Sequence, residues 1–223
     1  MTTLANILQE IGAIVDQDTT SANSSGTDQT VRVSLINQSL REWGNAYQWN
    51  QLRFNSYYPS IALSMTSMAL PTNFKKLMSR PFRGDLVTDN DYEEIRPEDR
   101  FQKLTLDVNN RFCYVGGDES VGKYLVINPP LPSGASLTFD YQMFPSSMAT
   151  LQDVCVCPQP GYLTKRVISK IFESRADPRF PTFKAEADDS LATMMEEEGA
   201  LSGAFTNRTP YQFDKYNFRL GQD

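Results

Sequence analysis

Few of the residues that usually carry enzyme chemistry are present in this 223-residue chain. It contains no histidine, which excludes Ser-His-Asp triads, Cys-His pairs and imidazole metal sites. Its three cysteines are Cys113, Cys155 and Cys157, an odd number that provides neither a paired disulfide framework nor a four-ligand zinc set. Redox motifs usually place two residues between their cysteines, whereas only Val156 separates Cys155 from Cys157. We therefore expect these two thiols to be buried and inert. We therefore expect no enzyme activity, no cofactor and no metal.

Two polar stretches resemble binding loops without meeting their requirements. The first is acidic and lacks the alternating spacing and closing Glu of a calcium loop, so we expect a solvated loop; its members are Asp89, Asp91, Glu93, Glu94, Glu98 and Asp99. The second, residues 116–124, resembles a phosphate-binding loop at Gly122-Lys123. Tyr124 replaces the Ser or Thr that would bind magnesium, and a strand follows where a helix would be needed, so a hairpin turn is predicted.

One predicted helix carries a row of basic residues, with two more just beyond it. Two interpretations stay open: these side chains pair with acidic residues of the last helix, or they bind an acidic surface of a partner in an assembly. The basic residues are Lys165, Arg166, Lys170, Arg175 and Arg179. We take Lys165, Arg166 and Lys170 as candidate partner-binding residues.

The composition is that of a globular protein, with 40% hydrophobic and 22% charged residues. A net charge of −6 argues against a surface built to bind duplex DNA, which needs a basic excess to neutralise phosphates. No run approaches the roughly 18 apolar residues of a membrane helix. Met1-Thr2-Thr3 lacks the basic start of a signal peptide. We expect a soluble protein made in a reducing compartment.

Apolar residues at helical spacing occur near both ends of the chain and position these candidate residues. In residues 1–51 they predict two antiparallel helices, with stripes at Leu4, Ile7, Leu8, Ile11, Ile14 and Val15, then at Val33, Ile36, Leu40, Trp43 and Tyr47. In residues 151–200 they predict two more, with stripes at Leu163, Val167, Ile168, Ile171 and Phe172, then at Phe183, Ala187, Leu191, Met194 and Met195. We expect the four helices to form one antiparallel bundle.

Residues 52–150 have the pattern of an inserted β domain, with short apolar runs separated by turn residues. Alternation predicts strands at 101–108, 112–114 and 136–143, and an apolar strand at 124–127 stopped by Asn128-Pro129-Pro130. Such short strands at about ten-residue spacing are typical of an antiparallel sandwich or barrel. The fold class is therefore α+β.

The last segment, residues 201–223, lacks helical periodicity but is rich in aromatic residues. Disordered tails contain few aromatics, so we expect an extended arm that docks on its own domain or on a partner. Aromatic side chains dominate the energetics of interfaces. The candidate anchors are Phe205, Tyr211, Phe213, Tyr216 and Phe218.

Two runs carry a family resemblance. Arg41-Glu42-Trp43-Gly44-Asn45-Ala46-Tyr47-Gln48-Trp49, followed by Ala69-Leu70-Pro71-Thr72-Asn73-Phe74-Lys75-Lys76-Leu77, resembles the head-to-tail adaptor (connector) proteins of tailed bacteriophages. In that family a Trp-rich second helix precedes a strand ending in a Leu-Pro-x-x-Phe-like element. Residues 176–180 and the acidic helix through Glu198 are similar to the family's closing helix pair. The resemblance covers most of residues 28–198, although the β insertion is large.

The resemblance implies a structural virion protein. Adaptors of this family form a ring, usually a dodecamer, below the portal protein, extend the DNA channel and provide the platform for a tail or nozzle protein. DNA passes without sequence-specific binding, which suits an acidic protein. The C-terminal arm would grip the portal or a neighbouring copy. The protein would lie at the head-tail interface of the virion after assembly in the host bacterial cytoplasm, with no membrane partner.

A second function stays open at this point, a receptor- or carbohydrate-binding module of a phage tail carried on the β insertion. Aromatic side chains that stack against sugar rings would form its site, and an exposed set of tyrosines is expected to supply them. The residues are Tyr57, Tyr58 and Tyr92.

Overall fold

The computed structural model describes residues 2–16, 27–58, 65–84, 91–106, 110–118 and 120–206. The described part contains five α-helices and eight strands, so the α+β class is confirmed. The helices are α1 Leu4–Val15, α2 Thr27–Ala46, α3 Arg100–Leu106, α4 Pro160–Ser174 and α5 Phe180–Thr206. The strands are β1 Arg53–Tyr58, β2 Met65–Ala69, β3 Phe74–Leu77, β4 Phe82–Arg83, β5 Glu93–Glu94, β6 Phe112–Asp118, β7 Gly122–Leu131 and β8 Leu137–Met143.

The chain divides into two compact units. Unit 1 comprises Met1–Trp43 and Ser147–Asp223, and unit 2 comprises Gly44–Ser146. Unit 1 therefore combines segments from before and after a continuous middle segment. The sequence analysis placed the corresponding boundaries at residues 51/52 and 150/151.

In unit 1 the predicted apolar stripes of α1 and α4 form a buried core. Leu4, Ile7, Leu8 and Ile11 of α1 are buried, as are all five stripe residues of α4. α4 packs against both α1 and α5. The main helical partner of α1 is thus α4, whereas the sequence indicated α2. The reason lies in the backbone: the amide of Leu4 donates to the Asp153 carbonyl at 2.9 Å, and the amide of Cys155 donates to the Thr2 carbonyl at 2.9 Å.

Helix α5 is longer than predicted. Ala187 and Met194 of its stripe are buried, and the Phe183 ring meets Phe172 of α4 edge-on at 5.4 Å between centroids. The helix continues to Thr206, so the prediction of an extended arm from residue 201 is wrong for its first six residues. Those residues lack an apolar stripe, but they contain no proline to end the helix, and Leu201 and Ala204 are good helix formers. The remainder of the predicted arm, residues 207–223, lies outside the described part.

Unit 2 contains two four-stranded sheets. In the first, β8 pairs with β1 on one side and with β3 and β4 on the other. In the second, the order is β2-β7-β6-β5. The predicted inward face of β8 is confirmed, since Leu137, Phe139, Tyr141 and Met143 are buried. Gln142 points the other way and is buried too, and its side-chain amide donates to the Tyr47 carbonyl at 3.0 Å.

Three details of the predicted strands are wrong. Residues 100–106 form helix α3, which continues a turn begun at Pro97 and contains residues of good helix propensity, so the predicted strand at 101–108 is absent there. β5 runs parallel to β6, so the sheets are not wholly antiparallel. β7 also passes through Pro129 and Pro130. Its ladder with β2 skips from Leu131 to Val126 at an irregularity, so the prolines interrupt no regular pairing with β2.

Gly44 supplies a test of packing in unit 2. A Cβ atom at this position would lie 2.8 Å from Cδ and 2.9 Å from Cγ of the rigid Pro145 ring. Alanine normally stabilises a helix by up to about 1 kcal/mol relative to glycine, but overpacking costs about 1–3 kcal/mol. We therefore expect Gly44→Ala to lower the free energy of unfolding by about 1–2 kcal/mol in urea titrations.

The matched control is Gly161→Ala in α4, where an added Cβ would meet nothing within 4 Å. This variant should be neutral or slightly stabilised. Equal effects of the two substitutions would contradict the packing described around Gly44.

Candidate functional site

The three candidate basic residues of α4 belong to one network of ion pairs in unit 1. Glu42 of α2 accepts from Lys170 Nζ at 2.8 Å and from Arg166 Nε at 3.0 Å. The second side of the network involves α5, where Arg166 Nη1 lies 3.4 Å from Asp188 and Lys165 Nζ lies 3.3 Å from Glu186. We call these six residues the Glu42 network. It contains three cations and three carboxylates, so the network as a whole carries no net charge.

The environment of Glu42 makes it the centre of this network. Partial burial acts to raise the pKa of Glu42, but hydrogen bonds from Lys170 and Arg166 outweigh it, and the pKa is lowered. For Arg166, burial acts to lower the pKa while the bond to Glu42 raises it, with a net rise. Each partner thus holds the other in its charged form. The Lys170 side chain is only 17% exposed, so removing Glu42 would leave a cation poorly solvated.

The two remaining basic candidates also have acidic partners. Arg175 Nη2 lies 4.0 Å from Asp16, which pairs with the buried Arg32 as well. Arg179 donates to Asp177 at 2.8 Å, and its guanidinium stacks over the Phe172 ring at 4.2 Å. The bond from Arg179 lowers the pKa of Asp177 to about 2. All five candidate cations therefore have partners inside unit 1.

Sequence reasoning found the cations of the Glu42 network but missed its central carboxylate. Lys165 and Arg166 do pair with α5, as the first interpretation predicted. Glu42 lies 128 positions from Lys170, and no local spacing connects the two. The proposal that Lys165, Arg166 and Lys170 also bind a partner stays a prediction.

The cysteines are free thiols in three different environments. Cys113 and Cys157 are buried. For the pair Cys155 and Cys157, which was expected to be buried as small apolar side chains, the prediction is confirmed at Cys157 and wrong at Cys155. Burial and the nearby Glu94 raise the pKa of Cys113 to about 12. Cys155 is only half-buried, and hydrogen bonding with Cys157 lowers its pKa while that of Cys157 is raised. Cys157 Sγ also lies 3.9 Å from Met194 Sδ of α5.

In both stretches that resembled binding loops, described side chains have partners within the chain. The glycine-rich one forms the β6–β7 hairpin, with Asp118 paired to Gly122, so the predicted turn is confirmed. Asp118 Oδ1 accepts from the backbone amides of Ser120 and Val121 at 2.8 and 3.0 Å, so an internal carboxylate occupies these donors. In the acidic stretch Glu93 pairs with Lys103 at 2.7 Å. No group of three metal-ligating side chains occurs among the described residues, and Asp89 lies outside them.

The aromatic candidates are placed as follows. The backbone of Phe205 belongs to α5, while its side chain and residues 211–218 lie outside the described part. Tyr92 is fully buried, which contradicts its expected exposure. Tyr58 is half-buried: its ring stacks on Phe139 at 6.0 Å between centroids and its hydroxyl donates to the Ala69 carbonyl at 3.1 Å. The side chain of Tyr57 is not among those described.

Comparisons of the chain with protein-family models and with curated proteins find no match. In the part of the chain that the structure describes, no helix combines the length and the apolar character needed to span a membrane.

We expect Glu42→Gln to lower the free energy of unfolding by about 1–2 kcal/mol at pH 7, because Lys170 loses its carboxylate partner and Arg166 keeps only the 3.4 Å contact with Asp188. Glu186→Gln is the matched control: it removes one exposed pair, so a loss below about 0.5 kcal/mol is expected. Urea unfolding of both variants measures the difference.

The same pair of variants has a pH signature. Because the folded-state pKa of Glu42 is lowered, its contribution is complete above the ordinary value of 4.5 and disappears as pH falls through the folded value. The stability difference between wild type and Glu42→Gln should therefore shrink below pH 4.5. A difference that stays constant from pH 7 to pH 3 would show that Glu42 acts only through packing.

We expect Cys155 to react first with iodoacetamide in the folded protein, because it is the most accessible thiol and its pKa is lowered. Cys113 and Cys157 should react only after unfolding. Peptide mass spectrometry of briefly treated protein measures the order, and Cys155→Ser provides the control that leaves almost no folded-state labelling. Labelling of Cys157 before Cys155 would contradict this assignment.

Proposed function

We propose that this protein is a head-to-tail adaptor of tailed bacteriophages that forms a ring below the portal protein. In this proposal the helices of unit 1 form a bundle and unit 2 is its inserted β domain, a sandwich or barrel. The ring, of about twelve copies, extends the DNA channel and carries the tail or nozzle protein. The function is binding alone, without catalysis.

The observation that carries the proposal is the division of the chain. Helices before residue 44 and after residue 146 belong to one unit, and the strands between them belong to the other. This is the helix-strand-helix order of the family that the Arg41–Trp49 and Ala69–Leu77 runs resemble. The described part supports the second run as a strand entry, because Leu70 and Phe74 are buried and the Phe74 amide donates to the Pro71 carbonyl at 2.9 Å.

The electrostatics support a channel rather than a DNA-binding surface. The net charge is −6, and the basic residues of α4 are balanced by the carboxylates of the Glu42 network. Tight phosphate contacts would hold DNA in place, whereas a channel must let it slide. The internally paired cations of α4 meet that requirement.

The ring requires an interface, and the segment after α5 is the proposed source of it. Residues 211–218 contain Tyr211, Phe213, Tyr216 and Phe218. Burial of apolar surface contributes roughly 25 cal/mol per Å², and ring symmetry repeats the contact at each copy. We therefore assign these residues, with Phe205, to contacts with the portal or with a neighbouring copy.

The alternative, a receptor- or carbohydrate-binding module, receives less support. Its expected stacking platform included Tyr92, which is fully buried, and Tyr58, whose ring already stacks on Phe139.

The proposal is tested by native mass spectrometry of the protein mixed with the portal complex from the same source. We expect a mass increment near twelve times 25.2 kDa. Replacement of Tyr211, Phe213, Tyr216 and Phe218 by serine should weaken the association at least roughly 30-fold, since interface hot spots contribute about 2 kcal/mol or more each. No association of the wild-type protein under any order of mixing would refute the proposal.

Lys103→Gln is a matched control for the multiple variant. It removes one charge that Glu93 already pairs within unit 2, so portal association should change less than about threefold. A loss as large as that of the aromatic variant would move the portal contact to α3.

A further inference from the structure

The outer strands of the two sheets differ in how their free edges are protected. β2 contains an irregularity in its pairing, and β3 has another next to Lys75 and Lys76. β4 and β5 are only two residues long. Bulges, lysines and short length are devices that stop an edge strand from pairing with a further strand.

Strand β1 has none of these devices. It pairs with β8 through six consecutive residues in unbroken register, from Arg53 opposite Gln142 to Tyr58 opposite Leu137. It contains neither lysine nor proline. Among the described residues, no strand pairs with its other edge. Within the described part, β1 therefore offers an open template of about six residues for another strand.

Side chains on both faces hold β1 in place. On one face Asp140 accepts from Asn55 at 2.8 Å and from Arg53 Nε at 3.1 Å. On the other face Phe54 continues an aromatic row, with its ring 6.3 Å from Tyr141, which stacks on Phe74 at 5.6 Å. Phe54 is the outermost ring of the row and is 48% exposed. A strand added beside β1 would place its own apolar side chains next to Phe54.

We propose that the outer edge of β1 accepts residues 216–220 of a neighbouring copy as an added β-strand. Tyr216, Phe218 and Leu220 alternate with Asn217 and Arg219, which is the two-residue period of a strand with one apolar face. The apolar set extends the aromatic row at Phe54. Asn217 and Arg219 fall on the opposite face, which is polar in β1 too, since Arg53 and Asn55 lie there.

This inference rests on the proposed function, because it names the partner of the C-terminal aromatic residues. The added strand and the β1 edge are two different surfaces of the chain. An interface between different surfaces is head-to-tail, and such interfaces close into rings when the rotation allows it. Strand addition supplies main-chain hydrogen bonds for affinity and side-chain alternation for register.

Disulfide trapping tests the pairing. Ser56→Cys, on the same face of β1 as Phe54, is introduced into one chain, and Phe218→Cys into another; both carry Cys155→Ser. Directly opposed strand residues have Cβ atoms about 4.5–5.5 Å apart, close enough for a disulfide after small shifts. After mild oxidation of the mixture, with and without the portal complex, we expect a covalent dimer linked through positions 56 and 218.

Asn55→Cys in place of Ser56→Cys is the matched control, because residue 55 lies on the opposite face of β1. It should link to the F218C chain several-fold less, and to an Asn217→Cys chain more. Equal linking of both faces would refute a register set by alternation.

A chain carrying both Ser56→Cys and Phe218→Cys separates the remaining outcomes. We expect a ladder of covalent oligomers; an internally linked monomer would show that the segment covers β1 of its own chain and would overturn the proposal. A ring on the portal without the 56–218 link overturns it too, while leaving the adaptor function intact. A 56–218 link in a protein that never associates with the portal supports the strand pairing and refutes the adaptor function.

Discussion

Unit 1 depends on the burial of α4 between α1 and α5, because this contact joins residues that precede unit 2 to residues that follow it. The contact between α1 and α4 has an apolar and a polar part. Ile7 and Ile11 are fully buried, and Thr164 donates a hydrogen bond to Glu10 at 2.8 Å. Asn37 adds a reciprocal pair of hydrogen bonds with the Met148 backbone, at 2.9 and 2.8 Å. The entropic cost of closing a loop grows only slowly with loop length. These contacts can therefore offset the cost of closing unit 1 even though the whole of unit 2 intervenes in the sequence.

Unit 2 has its own dependence on the buried strand β8, which pairs with three other strands. Its Asp140 shows how this position is stabilised. Partial burial acts to raise the pKa of that carboxyl, but hydrogen bonds from Arg53 and Asn55 lower it overall. The backbone amide of Asp140 also donates a hydrogen bond to Ser79 Oγ at 2.8 Å. Asp140 thus forms hydrogen bonds both with β1 and with the segment after β3. These bonds stabilise β1, whose outer edge is exposed.

Local patterns predicted local structure well. The stripes of α1 and α4 and the alternating face of β8 were read correctly because burial on one face imposes a period that the sequence must follow. The alternation at residues 101–108 was misleading, since a turn initiated by Pro97 led into a helix. Strand order, the parallel β5–β6 pair and the ion pair of Glu42 with Lys170 could not be predicted, because they join residues far apart in sequence. The sequence identified the basic residues of α4, but their ion pairs with Glu42 could be seen only in the folded structure.

Gly44 and Pro145 lie in contact, and they stand near the two ends of unit 2. The chain thus enters and leaves this unit at almost the same place. A segment whose ends adjoin can be lost, gained or exchanged as a cassette, because a short connection can span the gap with little backbone rearrangement. Recombination at these two ends would therefore replace the strand-rich unit and leave the core of the helical unit unchanged. Homologues produced in this way would share the helices of unit 1 and carry quite different insertions in place of unit 2.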